Sequence, residues 1–563
     1  MKPFVNDNDS ATLKLLPLGG MGDVTKNIYV YECGGDIIVV DCGIGFPEGD
    51  LLGVDIVIPD VSYLKDNARK IRGFLITHGH NDHFSALPYV LPQINANFPI
   101  YSTKLVAGFI KNQLLEFGLK DSTDIRVFNP EVDVIKLGVF TITPFRVNHS
   151  VPDAVGFVIQ TPQSRVVHVS DFKFDWTPFD GKVFDVPRLI KYTEGGVDLL
   201  LSDCLGSHKL GYTSSEKDIE HAFDELMDVA EGKVFVTATS SNVSRIQQAI
   251  NSAVRHGRKV ALLGKSVRDN VTIANELGFM EIPKGVLLDS RHTAKIPPQK
   301  IAYIVAGSYG QKGSALHRIA ENESRYASVG DGDMIIFSGD PSPSGVKDAV
   351  DRVVDKLTNL GADVHHYEIQ ENLHVSGHGS QGDMLMLARL VEPKFFVPIG
   401  GTASTMRGYT KLMERAGFNP KDVFELVNGE TLELKNRVAR RGSKIKVADV
   451  FVDGLGVGDV GRRVLNERSV LSQSGVLVIA APLNRKSGRV VGEVQVSSRG
   501  FVFEKNSSAL LNGVKERATK LLSAELGRLP LPQVREHLEE EMRKFLFKET
   551  EREPIILTIF TYV

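Results

Sequence analysis

The sequence predicts an α/β protein built from several domains. Short apolar runs in the first two hundred residues end repeatedly in His or Asp. From Ser215 onward, helical patterns alternate with β-branched runs, and the last hundred residues form a separate small α+β pattern. At 563 residues the chain exceeds what a single core supports, so about two to four domains are expected.

The opening runs have strand length and are bounded by Gly- and Asp-rich turns. They are Leu13 to Leu18, Ile28 to Tyr31 and Ile37 to Val40, the last leading into Asp41-Cys42-Gly43. Ile71 to Thr77 leads into His78, Phe140 to Val147 into Asn148-His149, and Val166 to Val169 into Ser170-Asp171. Strand ends are where α/β architectures gather functional groups.

The middle of the chain predicts a parallel βαβ domain. A helix over Ser215 to Val229 precedes the strand Lys233 to Thr237, then a helix over Ser244 to His256 precedes the strand Lys259 to Leu263. Ile301 to Ala306 and Asp333 to Phe337 continue the series. After Leu373 come a motif-bearing loop, a helix (Gly382 to Leu390) and the strand Lys394 to Pro398. The basic stretch Arg437 to Lys446 is expected to be an irregular linker with a solvated face, RNA contact being the competing use. Strands over Val476 to Ala481 and Arg489 to Val496, with helices over Ala509 to Leu526 and Leu531 to Phe547, complete the small α+β end.

Composition narrows the class. Hydrophobic residues at 42% and charged residues at 24% describe a globular chain rather than a disordered or fibrous one. A net charge of -3 provides no global positive field, so any nucleic-acid surface must be a local groove. Cys33, Cys42 and Cys204 form no CxxC pair, which favours a reducing compartment. The N-terminal MKPFVNDNDS lacks a secretory apolar stretch, and no apolar run approaches a membrane span. A cytoplasmic enzyme with no membrane partner is expected.

The strongest chemical signal is His78-Gly79-His80-Asn81-Asp82-His83, directly after an apolar strand. Four side chains able to bind metal fall within one short turn, in a spacing suited to two adjacent ions. Gly79 is expected to let the backbone turn tightly beneath a metal. A chance surface cluster is the alternative. For His149 alone, a satisfied histidine at a strand end is the simpler explanation.

The string resembles the signature of the metallo-β-lactamase superfamily, whose other motifs stand in order around it: Asp41, as the first aspartate, before it, and His149 in Arg146-Val147-Asn148-His149-Ser150 and Asp171 in Ser170-Asp171-Phe172 after it. The resemblance narrows to the ribonuclease J family of β-CASP nucleases. It extends through Gly19-Gly20-Met21-Gly22 with Lys26-Asn27, Asp55 to Asp60, Leu87-Pro88-Tyr89 and Asn148 to Asp153. Further along lie Ser241-Asn242 with Arg245-Ile246-Gln247-Gln248, and His374-Val375-Ser376-Gly377-His378. Gly454 to Gly461, Ser498 to Val502 and Pro554 to Leu557 resemble its C-terminal domain.

This resemblance implies a metallo-β-lactamase αββα sandwich with an inserted β-CASP parallel α/β domain and a small α+β C-terminal domain. The corresponding limits are 1–214 and 373–435 for the sandwich, 215–372 for the insertion, 436–462 for a linker and 463–563 for the last domain. It also implies two Zn2+ ions per subunit, Mn2+ or Mg2+ being alternatives. His78, His80, His149 and Asp171 would form site one, and Asp82, His83 and Asp171 site two. Asp41 and Asp203 would support the ligands. Asp82, Asp171 and His374 would be catalytic, with His374 donating a hydrogen bond or proton. RNA phosphates would meet Ser241, Asn242, Ser308 and the segment His374, Val375, Ser376, Gly377 and His378, with His378 as an anchor. The implied activity is 5′→3′ degradation of single-stranded RNA carrying a 5′-monophosphate, with endonucleolytic cleavage as a second mode. A homodimer or homotetramer, or a hetero-oligomer with a paralogue, is implied as the assembly.

The sequence departs from the family where Pro-x-His-Gly-Glu is usual. Here it reads Pro398-Ile399-Gly400-Gly401-Thr402, so Gly400 stands at a ligand position of site two. Asp203-Cys204-Leu205-Gly206 keeps an acid but loses hydroxyls, and Ser244 stands where histidine is common. These changes keep a second reading open, a weakly active or non-catalytic RNA-binding paralogue. A hydrolase of small esters or lactams is a third, although it has no use for a large inserted domain.

Overall fold

A computed structural model describes residues 12–47, 51–339, 346–454, 456–502 and 508–563. The polar N-terminal stretch and Leu455 of the Gly454 to Gly461 motif lie outside the described residues. The chain divides into two compact units, one containing Ile56–Val450 with the strands before Phe46, the other containing Phe451–Val563 with part of Pro47–Asp55.

The larger unit is built on two sheets stacked face to face. The first has eight strands, in the order Val438–Lys444, Glu430–Lys435, Leu13–Gly19, Ile28–Cys33, Asp36–Val40, Ile71–Leu75, Ile100–Ser102 and Ile125–Val127. The second has six: Pro393–Ile399, Val197–Asp203, Arg165–Val169, Val155–Gln160, Phe140–Arg146 and Ile135–Leu137. One continuous apolar core joins them, with Leu13, Tyr31, Ile38 and Leu75 of the first against Phe157, Val167, Leu199 and Val397 of the second. Helices cover the outer faces, Lys104–Glu116 on the first sheet, Val186–Thr193 and Gln381–Val391 on the second. This is the expected αββα sandwich.

A third sheet forms the insertion. Its six strands, in the order Leu287–Leu288, Lys259–Leu263, Ile301–Val305, Val234–Thr237, Met334–Phe337 and Asp363–His365, are all parallel. Four central strands read as near-continuous apolar runs because both faces are covered, by Val243–Arg255 and Lys347–Asn359 among other helices.

The smaller unit packs Ser508–Glu525 and Leu531–Thr550 on the strands Gln495–Arg499, Val476–Leu483 and Ile555–Tyr562. The strand expected over Arg489 to Val496 begins only at Gln495, because Gly492 adopts a φ of +88° that interrupts extended backbone.

The basic stretch expected to be a linker is also different. Val438–Lys444 pairs antiparallel with Glu430–Lys435 and forms the outer edge of the eight-stranded sheet. Its exposed Arg440, Arg441 and Lys444 suit an edge strand, where charge discourages pairing with another chain.

Candidate functional site

Three strand ends deliver the candidate ligands to one place. Ile71–Leu75 leads to Thr77 and His78, and His80 opens the single-turn helix Asn81–Phe84 that carries Asp82 and His83. Phe140–Arg146 leads to His149, and Arg165–Val169 leads to Asp171. The common point is Oδ2 of Asp171. It lies 3.4 Å from Nε2 of His83, 3.5 Å from Nε2 of His78, 3.6 Å from Nε2 of His149 and 4.0 Å from Nε2 of His378. Nδ1 of His80 lies 2.9 Å from Nε2 of His149, and Oδ2 of Asp82 lies 3.3 Å from Nε2 of His83.

Donor atoms on a tetrahedral ion at about 2.0–2.1 Å stand roughly 3.3 Å apart, which matches this spacing. The Nε2 of His78 is buried and has no hydrogen-bond partner, an arrangement that is costly unless a cation takes the lone pair. Three overlapping donor sets lie close enough to hold a divalent cation, namely His78, His80, His149 and Asp171, then Asp82, His83 and Asp171, and lastly Asp171, Asp203 and His378.

Neighbouring groups fix the tautomers. His149 donates from Nδ1 to the carbonyl of Gly377 at 2.7 Å, leaving Nε2 directed at Asp171. His83 donates from Nδ1 to Oδ2 of Asp41 at 2.8 Å, and Asp41 also accepts from the amide and hydroxyl of Thr77. Asp41 itself sits at φ +62°, a left-handed backbone that Asp tolerates better than most residues. Chain approach here is close, since a Cβ on Gly43 would fall 1.5 Å from the carbonyl oxygen of Asp82.

Electrostatics agree with a ligand role for three of the imidazoles, whereas at His83 burial is outweighed by Asp171, Asp82 and Asp41, which hold it well above the usual range. Burial pushes His78 and His149 well below the usual imidazole range and His80 to about 4, so all three keep the lone pairs that a metal needs. Burial opposes ionisation of Asp171, but His83 and His378 outweigh it and hold the carboxyl well below its usual range. His378 behaves oppositely: despite burial, Asp203 and Asp171 raise it to about 9. Oδ2 of Asp203 accepts from Nδ1 of His378 at 2.7 Å, and that carboxylate is fully buried.

Not every expected residue joins the cluster. His374 stands edge-to-face with Tyr367 at 6.1 Å, whereas His378 faces Asp171. Ser241, Asn242 and Ser308 follow the C-terminal ends of adjacent parallel strands, Val234–Thr237 and Ile301–Val305, and form no part of the carboxylate–imidazole cluster. Oδ1 of Asn242 accepts from the amide of Arg245 and caps its own helix. Gly79 lies in a bend, as expected, and also has a packing reason, since a Cβ there would meet the Phe109 ring at 2.8 Å. Gly400 does adjoin the site. It has a φ of +61°, and a Cβ there would lie 3.7 Å from Oδ1 of Asp171.

Several contacts were missed from sequence. Nδ2 of Asn27 lies 3.2 Å from Nε2 of His83, and Ser150 Oγ lies 3.2 Å from Nε2 of His80. Asn27 and Ser150 sit beside recognised motifs, so adjacency was the available signal. Arg245 lies within the Ser241 to Gln248 motif and Lys173 follows Ser170-Asp171-Phe172, whereas Glu216 had no such signal.

Comparison with known proteins gives consistent matches along the chain. Residues 37–230 match the family model of the beta-lactamase superfamily domain, residues 231–357 that of the ribonuclease J beta-CASP domain, and residues 463–563 that of the ribonuclease J C-terminal domain. Ribonuclease J of Thermus thermophilus is 36% identical, with 97% of this chain and 95% of that protein covered. Ribonuclease J2 of Bacillus subtilis is 31% identical over 99% of both chains. Ribonuclease J 1 of Streptococcus pyogenes is 34% identical over 96% of both. A crystal structure of a protein of unknown function from Enterococcus faecalis shares the fold, with a TM-score of 0.52 and 15% identity over 75% of this chain and 100% of that one.

Proposed function

Because the chain belongs to the ribonuclease J family, we propose that it is a metal-dependent ribonuclease that hydrolyses phosphodiester bonds at the Asp171 cluster. One observation carries this reading: imidazoles from separate strand ends converge within 3.4 to 4.0 Å of a single carboxylate oxygen.

His78, His80, His149 and Asp171 hold one divalent cation, and Asp82, His83 and Asp171 a second. Zinc is the assigned metal because neutral imidazole and carboxylate donors at this spacing suit it. When bound, such a pair supplies a nucleophile from water at neutral pH and neutralises charge on the phosphoryl oxygens. Asp41 orients His83, and Gly377 orients His149. Proton donation to the leaving oxygen is assigned to His378 rather than His374. Its Nδ1 is committed to Asp203 and its Nε2 faces the cluster. His374, with Val375, Ser376 and Gly377, is then left to contact phosphate.

Single-stranded RNA with a 5′-monophosphate is the assigned substrate. Ser241, Asn242 and Ser308, at the strand ends of the inserted sheet, are the candidate contacts for the terminal phosphate. The limits 1–214, 215–372, 373–435 and 463–563 are carried forward as working domain divisions. A cytoplasmic location and a dimeric or tetrameric assembly complete the reading; among the described residues no helix is long and apolar enough to cross a membrane.

The test is turnover of 5′-monophosphorylated RNA by Asp82→Ala with His83→Ala, together with metal content per chain. Loss of turnover is expected, with metal content falling as the Asp82, His83 and Asp171 set is lost while the His78, His80, His149 and Asp171 set keeps its cation. Unchanged turnover in a folded double variant rejects the two-metal site. The reading as a weakly active RNA-binding paralogue has one supporting observation, Gly400 beside Asp171, and is decided by turnover of the purified protein alone.

A further inference from the structure

A fully buried ionic cluster lies just behind the site. Lys173, two residues beyond Asp171, has no exposed surface, and Arg245 has none either. Between them lies Glu216, which is 4% exposed. Nη2 of Arg245 donates to Oε2 of Glu216 at 2.6 Å, and Nζ of Lys173 lies 3.4 Å from Oε1. The backbone amide of Glu216 donates to Oδ2 of Asp175 at 3.0 Å, and the same oxygen lies 4.0 Å from Nζ of Lys173, which brings a second carboxylate against that cation.

Burying charges costs more than packing apolar groups of the same volume, so such a cluster contributes little net stability. What it does is hold backbone. Nζ of Lys173 donates to the carbonyl of Ser376 at 3.1 Å. On the other side, Ser338 Oγ donates to the carbonyl of Leu373 at 2.6 Å, and Nη1 of Arg245 donates to Ser338 Oγ at 2.8 Å. His374 therefore sits between two carbonyls, each gripped by a different arm of one cluster. Its ring also lies within the electrostatic reach of Glu216. The amide of Gly379 donates to the carbonyl of Phe172 at 2.6 Å, tying the far end of the segment to the strand end that carries Asp171.

We propose that Glu216, clamped between Lys173 and Arg245, is a positioning residue. It sets the His374–His378 segment against the Asp171 cluster, and through Arg245 and Ser338 it links the inserted parallel sheet to the chemistry. The proposal rests on the reading that RNA is cut at that cluster. It adds that Glu216 acts through His374 without touching substrate.

The test uses the full-length chain and a 5′-monophosphorylated RNA oligonucleotide. Glu216→Gln, Ser338→Ala, His374→Ala and the Glu216→Gln/His374→Ala pair are compared by kcat, KM, metal content and amide exchange of residues 373–379. Small displacements of positioned groups cost on the order of tenfold to a hundredfold in rate. Glu216→Gln is expected to lower kcat by about that much with KM and metal content held near wild type, and to speed exchange across 373–379. In the His374→Ala background the same change is expected to cost less than about twofold, because residues acting as one unit are not additive. A purely structural Glu216 gives equal losses in both backgrounds, and that outcome overturns the proposal, as does a folded Glu216→Gln with wild-type kcat. Should Glu216→Gln not fold, Ser338→Ala decides by the same two measurements. If the wild-type protein shows no turnover, the functional reading fails, while the exchange rates of 373–379 still decide whether the cluster holds the segment.

Discussion

The buried carboxylate of Asp203 accepts a hydrogen bond from Nδ1 of His378 at 2.7 Å, while Nε2 of the same ring stands 4.0 Å from Asp171. An orienting carboxylate behind an imidazole fixes the tautomer and keeps the outer nitrogen protonated. Asp203→Asn preserves shape but removes the charge. It is expected to lower kcat by about 10²- to 10⁴-fold, the usual worth of a positioned proton donor. Steady-state kinetics on 5′-monophosphorylated RNA check this, and a loss under threefold contradicts the assignment.

Asp41 acts on the other side of the cluster, accepting from Nδ1 of His83 at 2.8 Å and from Thr77. Removing such an outer partner typically weakens metal binding by about 10- to 100-fold. Asp41→Ala is expected to lose one cation more readily than the wild type in a chelator titration followed by metal analysis. Because Asp41 is fully buried, a thermal melt must accompany the titration to show that the variant is folded.

The candidate ligands were legible in the sequence because they are either contiguous, as in His78 to His83, or placed at the ends of recognisable strands, as with His149 and Asp171. The parallel insertion was legible for a similar reason, since buried strands such as Ile301–Val305 read as continuous apolar runs. What escaped is determined by tertiary proximity. Glu216, Lys173 and Arg245 come from three different segments and share no spacing. The choice between His374 and His378 depended on where Asp203 lies, which sequence order does not reveal. The basic run after Arg437 looked like a linker because a charged edge strand and a solvated linker share the same composition, although the edge carries its charge against pairing with another chain.

Gly400 gives a prediction in the direction of gain. A Cβ at this position lies 3.7 Å from Oδ1 of Asp171, an ordinary contact distance, so space for a side chain exists beside the second donor set. The backbone there has a φ of +61°, which costs a non-glycine residue about 1–2 kcal/mol. Gly400→His is therefore expected to lower thermal stability modestly while retaining more metal per chain through dialysis and raising turnover. Unchanged metal retention separates Gly400 from any deficit in cation binding.

The ionic cluster behind the site predicts a pH-dependent stability. Burial alone raises the Glu216 carboxyl, but Arg245 and Lys173 outweigh burial and hold it below its usual range in the folded protein. A carboxyl whose folded pKa is depressed stabilises fully above its unfolded value of about 4.3, and that contribution disappears as pH falls through the lower folded pKa. Glu216→Gln leaves two buried cations facing a neutral amide, which at neutral pH costs about 3–5 kcal/mol. In acid the wild-type carboxyl is itself neutralised, so the gap between the two proteins narrows. Thermal melts of both at pH 7 and in steps below pH 4.5 check the sign. A gap that stays constant or widens towards acid excludes Glu216 as the ionised partner of Arg245.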